Sequence, residues 1–275
     1  MFKKEWEINV SEENKMLYVS RKKENPSGAL SPCSMTPDDV DYEMSKGKNR
    51  KIIEIIGMNQ ESFEYFVEKY GEEYEYIYFF KCQLISDFSP LEKLKNLQGI
   101  RIFWNRKTET LWDMSQNPKL QYLHVIDCKK ITYNPIILGK AIYLEDLTFA
   151  GDIFSPYPMK NLDWMQGMSS LKKINLYEIK LEDRKTEVLS FMPNLKEFNF
   201  PAGMFTVEEI AYMCAKYPSI SGSALCAYNT KDAILSDVRV CGYKKPGLNL
   251  PKDQARLDKY IREFDMLVEK YKEEI

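Results

Sequence analysis

Apolar residues recur along this chain at fixed offsets. In LQYLHVIDC the apolar positions are Leu120, Leu123 and Val125, followed by Cys128. The pattern is LxxLxLxxC. YEYIYFFKC gives Tyr74, Ile77, Phe79 and Cys82 at the same offsets, and LQGIRIFWN gives Leu97, Ile100, Ile102 and Asn105. Downstream, LEDLTFAGD repeats it with Leu144, Leu147, Phe149 and Asp152, LKKINLYEI with Leu171, Ile174 and Leu176, and LKEFNFPAG with Leu195, Phe198 and Phe200. A weaker first copy holds Ile53 and Ile55, a degenerate one surrounds Ile220, and LSDVRV offers a further one with Leu235, Val238 and Val240. The clear copies start at 74, 97, 120, 144, 171 and 195, so successive spacings are 23, 23, 24, 27 and 24.

Within each copy the apolar pair alternates with polar or aromatic residues, which is the period of a strand. Each strand needs a return segment, so successive strands stack in parallel. Ser89-Pro90 reads as a helix opening, with a cap and then a first-turn proline. Asn59 ahead of Phe63, Phe66, Val67 and Tyr70, closed by Gly71, reads as a capped amphipathic helix. Thr206 with Glu209 forms a capping box before Ile210 and Met213. No unit buries its own apolar face, so stacking has to supply the core.

The pattern LxxLxLxx(N/C), with a period inside the ~20–29-residue window of such repeats, resembles the leucine-rich repeat family over roughly residues 50 to 242. The stretch ISDFSPLEKLKNLQGIRI is more narrowly similar to the bacterial, internalin-like subgroup. The departures are Ile179 and Gly203 at the polar position and an insertion near SPYP in the copy that starts at 144. The resemblance implies an α/β leucine-rich repeat solenoid: a curved parallel β-sheet with a helical or 3-10 convex side, capped at both ends. The expected organisation is an N-terminal cap over 1–48, repeats over 49–245 and a C-terminal cap over 246–275. The first cap holds WEINV and KMLYVSR as a hairpin, followed by an irregular stretch, ENPSGALSPCSMTPDD. The second is a helix with a stripe at Leu257, Tyr260, Ile261, Phe264, Leu267, Val268 and Tyr271.

Composition narrows the function. With 39 basic and 41 acidic residues, the charge of −2 supplies no field to attract nucleic acid or an anionic membrane. No apolar run is long enough to span a bilayer. The opening MFKKEWEINVSEENK lacks the apolar region of a secretory signal, so a cytoplasmic location is expected. The six cysteines form no CxxC pair and match no zinc spacing; they are expected to be thiols. Cys82, Cys128 and Asn105 share one repeat position, where the chain turns inward and a small polar group can meet turn backbone.

A metal or nucleophile site around His124, the single histidine, competes with that reading of Cys128. On a strand, however, His124 points opposite to Leu123 and Val125. No GxGxxG, phosphate loop or HExxH is present, so no catalysis and no cofactor are expected. The candidate site is instead the open face of the sheet. Residues flanking the apolar pairs point there: Tyr76, Tyr78 and Phe80, then Arg101 and Phe103 with Trp104 at the strand end, then Tyr122 and His124. Adjacent strands lie ~4.8 Å apart, so these form one aromatic concave patch of the residue types that dominate binding hot spots. The expected activity is that of a non-catalytic module binding an unidentified protein, and the family resemblance also implies protein binding. An immunity or regulatory protein that neutralises a toxin or enzyme is the narrower alternative. The N-terminal segment or a second copy of the chain could occupy the same face.

Overall fold

The computed structural model describes residues 17–20, 35–46, 50–133, 135, 138, 140–152 and 154–275. These fall into two compact units, divided between Ile131 and Thr132.

In the first unit, strands β1 (Leu17–Ser20), β2 (Ile52–Ile56), β3 (Tyr76–Phe80), β4 (Gly99–Phe103) and β5 (Tyr122–Ile126) pair in parallel in chain order. The register aligns the repeat: Ile53, Ile77, Ile100 and Leu123 are successive partners, as are Ile55, Phe79, Ile102 and Val125. All eight are buried. Between the strands the chain returns as helix α2 (Gln60–Lys69) or as short 3-10 turns at Ser89–Lys93 and Met114–Gln116. Phe63 from α2 and Phe88 from the turn region pack edge-on or tilted against Phe79, with centroids 5.4–5.5 Å apart.

Most of the repeat strands leave the sheet in one way. The residue after the strand has positive φ at Gly57 (75°), Lys81 (56°), Trp104 (59°) and Asp127 (53°), and in the second unit at Glu178 (51°). That left-handed step turns the next residue inward. Asn105 illustrates the result: its Nδ2 donates to the carbonyls of Cys82 (3.0 Å) and Ile85 (2.8 Å), and its Oδ1 accepts from the amides of Lys107 (3.0 Å) and Thr108 (2.9 Å). Cys82 and Cys128 take the same place, donating to the carbonyls of Ile55 (3.4 Å) and Ile126 (3.3 Å).

The N-terminal region departs from expectation in two respects: Leu17–Ser20 of KMLYVSR, expected in a hairpin, pairs in parallel with β2, and part of the stretch taken as irregular is helical. WEINV, the first strand of the expected hairpin, lies outside the described residues, as do residues 24–34 of the stretch taken as irregular. The end of that stretch opens helix α1 (Pro37–Ser45), capped by Thr36 in a reciprocal box with Asp39. The motif TPDD carries the signal for it: a cap, a first-turn proline and an acid at the third position.

The short helix α3 (Lys129–Tyr133) follows β5. In the second unit, β6 (Asp146–Ala150), β8 (Lys173–Tyr177) and β10 (Glu197–Asn199) pair in parallel. The insertion near SPYP and the anomalous Ile179 have a common cause. They form β7 (Tyr157–Met159) and β9 (Ile179–Leu181), which pair as a separate two-stranded parallel sheet. Gly151 permits this approach, since a Cβ there would sit 2.2 Å from the Glu178 carbonyl oxygen. Helix α4 (Val207–Lys216) starts at Thr206 with the capping box to Glu209.

The last part overturns the expectation of a leucine-rich repeat solenoid capped at both ends. The stretch read as a further repeat strand, LSDVRV, is not one. β11 (Tyr228–Asn229), β12 (Val238–Val240) and β13 (Gly247–Leu248) form a separate antiparallel sheet. Leu235, which the repeat would bury, is 94% exposed in the connection between β11 and β12. Val238, Val240 and Leu248 instead make a core of their own with Leu257 of helix α5 (Gln254–Glu274), flanked by Tyr260 and Ile261. α5 also packs on α4, with Tyr212 and Tyr271 edge-on at 5.6 Å. The architecture is therefore α/β with parallel sheets and a distinct antiparallel sheet.

Candidate interaction face

In the first unit the residues opposite the core form three columns across β2 to β5. The register gives Ile52, Tyr76, Gly99 and Tyr122 at the entry end; Glu54, Tyr78, Arg101 and His124 in the middle; and Ile56, Phe80, Phe103 and Ile126 at the exit end. All the candidate residues from Tyr76 to His124 lie on this face or, for Trp104, at its exit edge. Glu54, which the sequence reading passed over, completes the middle column.

Each column is held by a distinct contact. At the entry end Gly99 has no side chain, and Tyr76 leans into the gap: a Cβ on Gly99 would meet the Tyr76 ring at 2.6 Å. The rings of Tyr76 and Tyr122 come within 6.2 Å across it, and the Tyr76 hydroxyl donates to Gln98 (2.9 Å). In the middle the Arg101 guanidinium lies over the Tyr78 ring, 4.8 Å from its centroid. At the exit end Phe80 and Phe103 stack, with centroids 5.1 Å apart and planes within 16°. Lys81 sits against both Phe80 (5.1 Å) and Trp104 (4.9 Å), and Arg106 also lies over the Trp104 ring (5.4 Å).

The face is less accessible than a flat sheet surface. Tyr76, Tyr78, Phe80, Phe103, Trp104 and Tyr122 are half-buried. Arg101 and His124 are only 5% and 8% exposed, so the middle column of the expected patch is nearly closed to solvent. Burial pushes the Tyr78 phenol up to about 12, against the opposing effect of Arg101, and raises that of Tyr76 as well. Both hydroxyls therefore stay neutral hydrogen-bonding groups at physiological pH.

His124 and Cys128 do not converge. Cys128 is buried behind the sheet, where the Asn105 amide donates to its sulfur (3.4 Å), whereas His124 belongs to the opposite face. Among the described residues, no three His, Cys, Asp or Glu side chains gather in a metal-binding arrangement.

No family model and no curated protein matches this chain.

The corresponding face of the second unit has a different character. Asp146, Lys173 and Glu197 make one row; Thr148, Asn175 and Asn199 make the next. Asn199 donates to Asn175 (3.0 Å), and Asn175 donates to Thr148 (3.0 Å). This polar row makes a poorer anchor for a partner than stacked rings do, although Tyr177, paired with Ala150 at the exit end of the same face, is 38% exposed. No helix among the described residues is long and apolar enough to cross a membrane.

Proposed function

We propose that the protein is a non-catalytic binding module that recognises a protein partner through the β2–β5 face of its first unit. The observation that carries this reading is the exit-end cluster. There the stacked pair Phe80–Phe103 and the ring of Trp104 are half-buried, with the cations of Lys81 and Arg106 against them. Rigid aromatics give contact area at small entropic cost, and a cation beside a ring adds direction. The matching partner surface is an apolar segment bordered by carboxylates, whose charge would meet Lys81 and Arg106. A cytoplasmic setting belongs to the same proposal. The thiols of Cys82 and Cys128 are hydrogen-bonded to backbone rather than cross-linked, the state that a reducing compartment keeps.

The test is site-specific photocrosslinking in the native cell, with a photoreactive phenylalanine at position 103 and, as control, at the exposed Phe191. A discrete adduct at 103 and none at 191 is expected. For the protein so captured, Phe103→Ala should weaken binding by about 2 kcal/mol or more, and Lys95→Ala on the return side should leave it unchanged. Equal capture at both positions, or no effect of Phe103→Ala, refutes the reading.

A further inference from the structure

The described cysteines differ in their settings. Cys82 and Cys128 are single, fully buried thiols, and burial pushes each up to about 12. Cys226 and Cys241 instead face each other, with Sγ atoms 3.9 Å apart. Their placement is built into the antiparallel sheet. The Cys241 amide donates to the Ala227 carbonyl (2.9 Å), continuing the pairing of β11 with β12. Asn229 donates to the Cys241 sulfur (3.5 Å) and is itself held by Asp232, whose amide donates to Asn229 Oδ1 (2.9 Å). Asp232 is fixed in turn by the Ala202 amide (2.8 Å).

The two sulfurs are not equivalent. Cys241 is buried, whereas Cys226 is half-buried in the loop before β11. As a thiol, Cys226 donates to the Tyr228 carbonyl (3.0 Å). Ionised, it accepts from the Cys241 S–H, and that bond pulls the Cys226 thiol below the ordinary cysteine range while holding Cys241 protonated. A half-buried thiol whose ionised form can accept from a second thiol 3.9 Å away is the arrangement of a redox-active pair.

We propose that Cys226 and Cys241 are a thiol redox site whose oxidant is a hydroperoxide. The Cys226 thiolate attacks the terminal peroxide oxygen and the O–O bond breaks. The departing oxygen takes a proton and leaves as water, or as an alcohol from an organic peroxide, and Cys226 becomes a sulfenic acid. The Cys241 sulfur then attacks Cys226 Sγ. The S–O bond breaks, and the hydroxide leaves as water with the Cys241 proton. Two thiols lose two electrons to one peroxide. The sulfurs have to close from 3.9 Å to the ~2.05 Å of a disulfide, and Cys226 lies in the 222–227 loop, outside the paired strands. The bond would lock the base of the β11–β12 connection, whose tip carries Ile234 and Leu235, 90% and 94% exposed.

The experiment treats the reduced full-length protein with equimolar hydrogen peroxide, followed by intact mass and tryptic mapping without reductant. Cleavage after Lys216, Lys231, Arg239 and Lys244 puts Cys226 on 217–231, Cys241 on 240–244 and Cys214 on a separate peptide. The expected product is lighter by two hydrogens, with 217–231 joined to 240–244, restored by dithiothreitol, and with Cys82 and Cys128 still reduced. Cys241→Ser should leave a sulfenic acid on Cys226 that dimedone traps, and Cys226→Ser should abolish both products. The proposal is overturned if Cys226 remains reduced while other thiols oxidise, if it joins Cys214 instead, or if no thiol reacts before the protein unfolds.

Discussion

Replacing Asn105 with alanine tests the strand-exit geometry most directly. The side chain meets four backbone groups, but they do not lose equally. The Ile85 carbonyl keeps a hydrogen bond from the Thr108 hydroxyl (3.0 Å), and the Cys82 carbonyl keeps one from the Ile85 amide (3.3 Å). Lys107 is exposed, so its amide can turn to water. The Thr108 amide is buried and left without a partner. An orphaned buried donor costs about 1–3 kcal/mol, and each of the weakened contacts about 0.5–1 kcal/mol. The sum is about 3 kcal/mol, a large share of a typical domain's stability. Urea unfolding followed by tryptophan fluorescence would read it as a lower midpoint at unchanged slope. Asn105→Cys copies the occupant at 82 and 128 and should lose less than alanine does. A loss below about 1 kcal/mol for Asn105→Ala, or a larger loss for cysteine than for alanine, would refute the account of the turn.

Other outcomes follow from the same structure. Cys82 and Cys128, raised to about 12 by burial, should react with a thiol reagent at pH 8 only after denaturant is added; rapid labelling of either in the native protein would contradict their placement. Leu123→Ala should cost about 2–5 kcal/mol as a buried strand residue in the shared core, and Tyr122→Ala, half-buried on the other face, clearly less; equal losses in urea would show the two faces to be wrongly assigned. Asp41 accepts from Lys69, Tyr70 and Tyr65, which hold its carboxyl down to about 2. Because the folded value lies below the ordinary one, its contribution is complete above about pH 4 and is lost as pH falls towards 2. Asp41→Asn should therefore lower stability at pH 7 and converge with the parent near pH 2; a constant difference between pH 7 and 2 would rule this out.

Much of the first unit could be read from the sequence, because its strands keep one burial rule. Ile77, Phe79, Ile100, Ile102, Leu123 and Val125 are apolar at period two and are buried in that register. Alternation does not distinguish parallel from antiparallel pairing, however, and there the reading failed. Leu235, Val238 and Val240 copy the repeat offsets, yet the strand they announce pairs with its neighbours in the opposite sense. The strand partners and the exposure of Leu235 reveal the difference, and both are tertiary facts. The candidate face shows a milder form of the same limit. Spacing places Arg101 and His124 on it but cannot tell that their surroundings leave them almost no solvent. The Cys226–Cys241 pair was equally hidden, since the sulfurs lie fifteen residues apart in sequence and are brought together by the turn of one hairpin.

The extra strand pair β7–β9 bears on how such a chain can lengthen. Strand starts at Asp146, Lys173 and Glu197 are 27 and 24 residues apart, yet the Leu147–Ile174–Phe198 alignment is kept. The added residues lie outside the sheet, where β7 pairs with β9 of the next copy, and the register of β6, β8 and β10 is kept. The apex of that excursion is a tight turn, with the Ser155 amide donating to the Asp152 carbonyl (3.1 Å) and Phe154 95% exposed. It is a natural graft point: a peptide epitope or affinity tag spliced between Asp152 and Ser155 would be carried on an outgrowth that the chain already tolerates, leaving the sheet behind it intact.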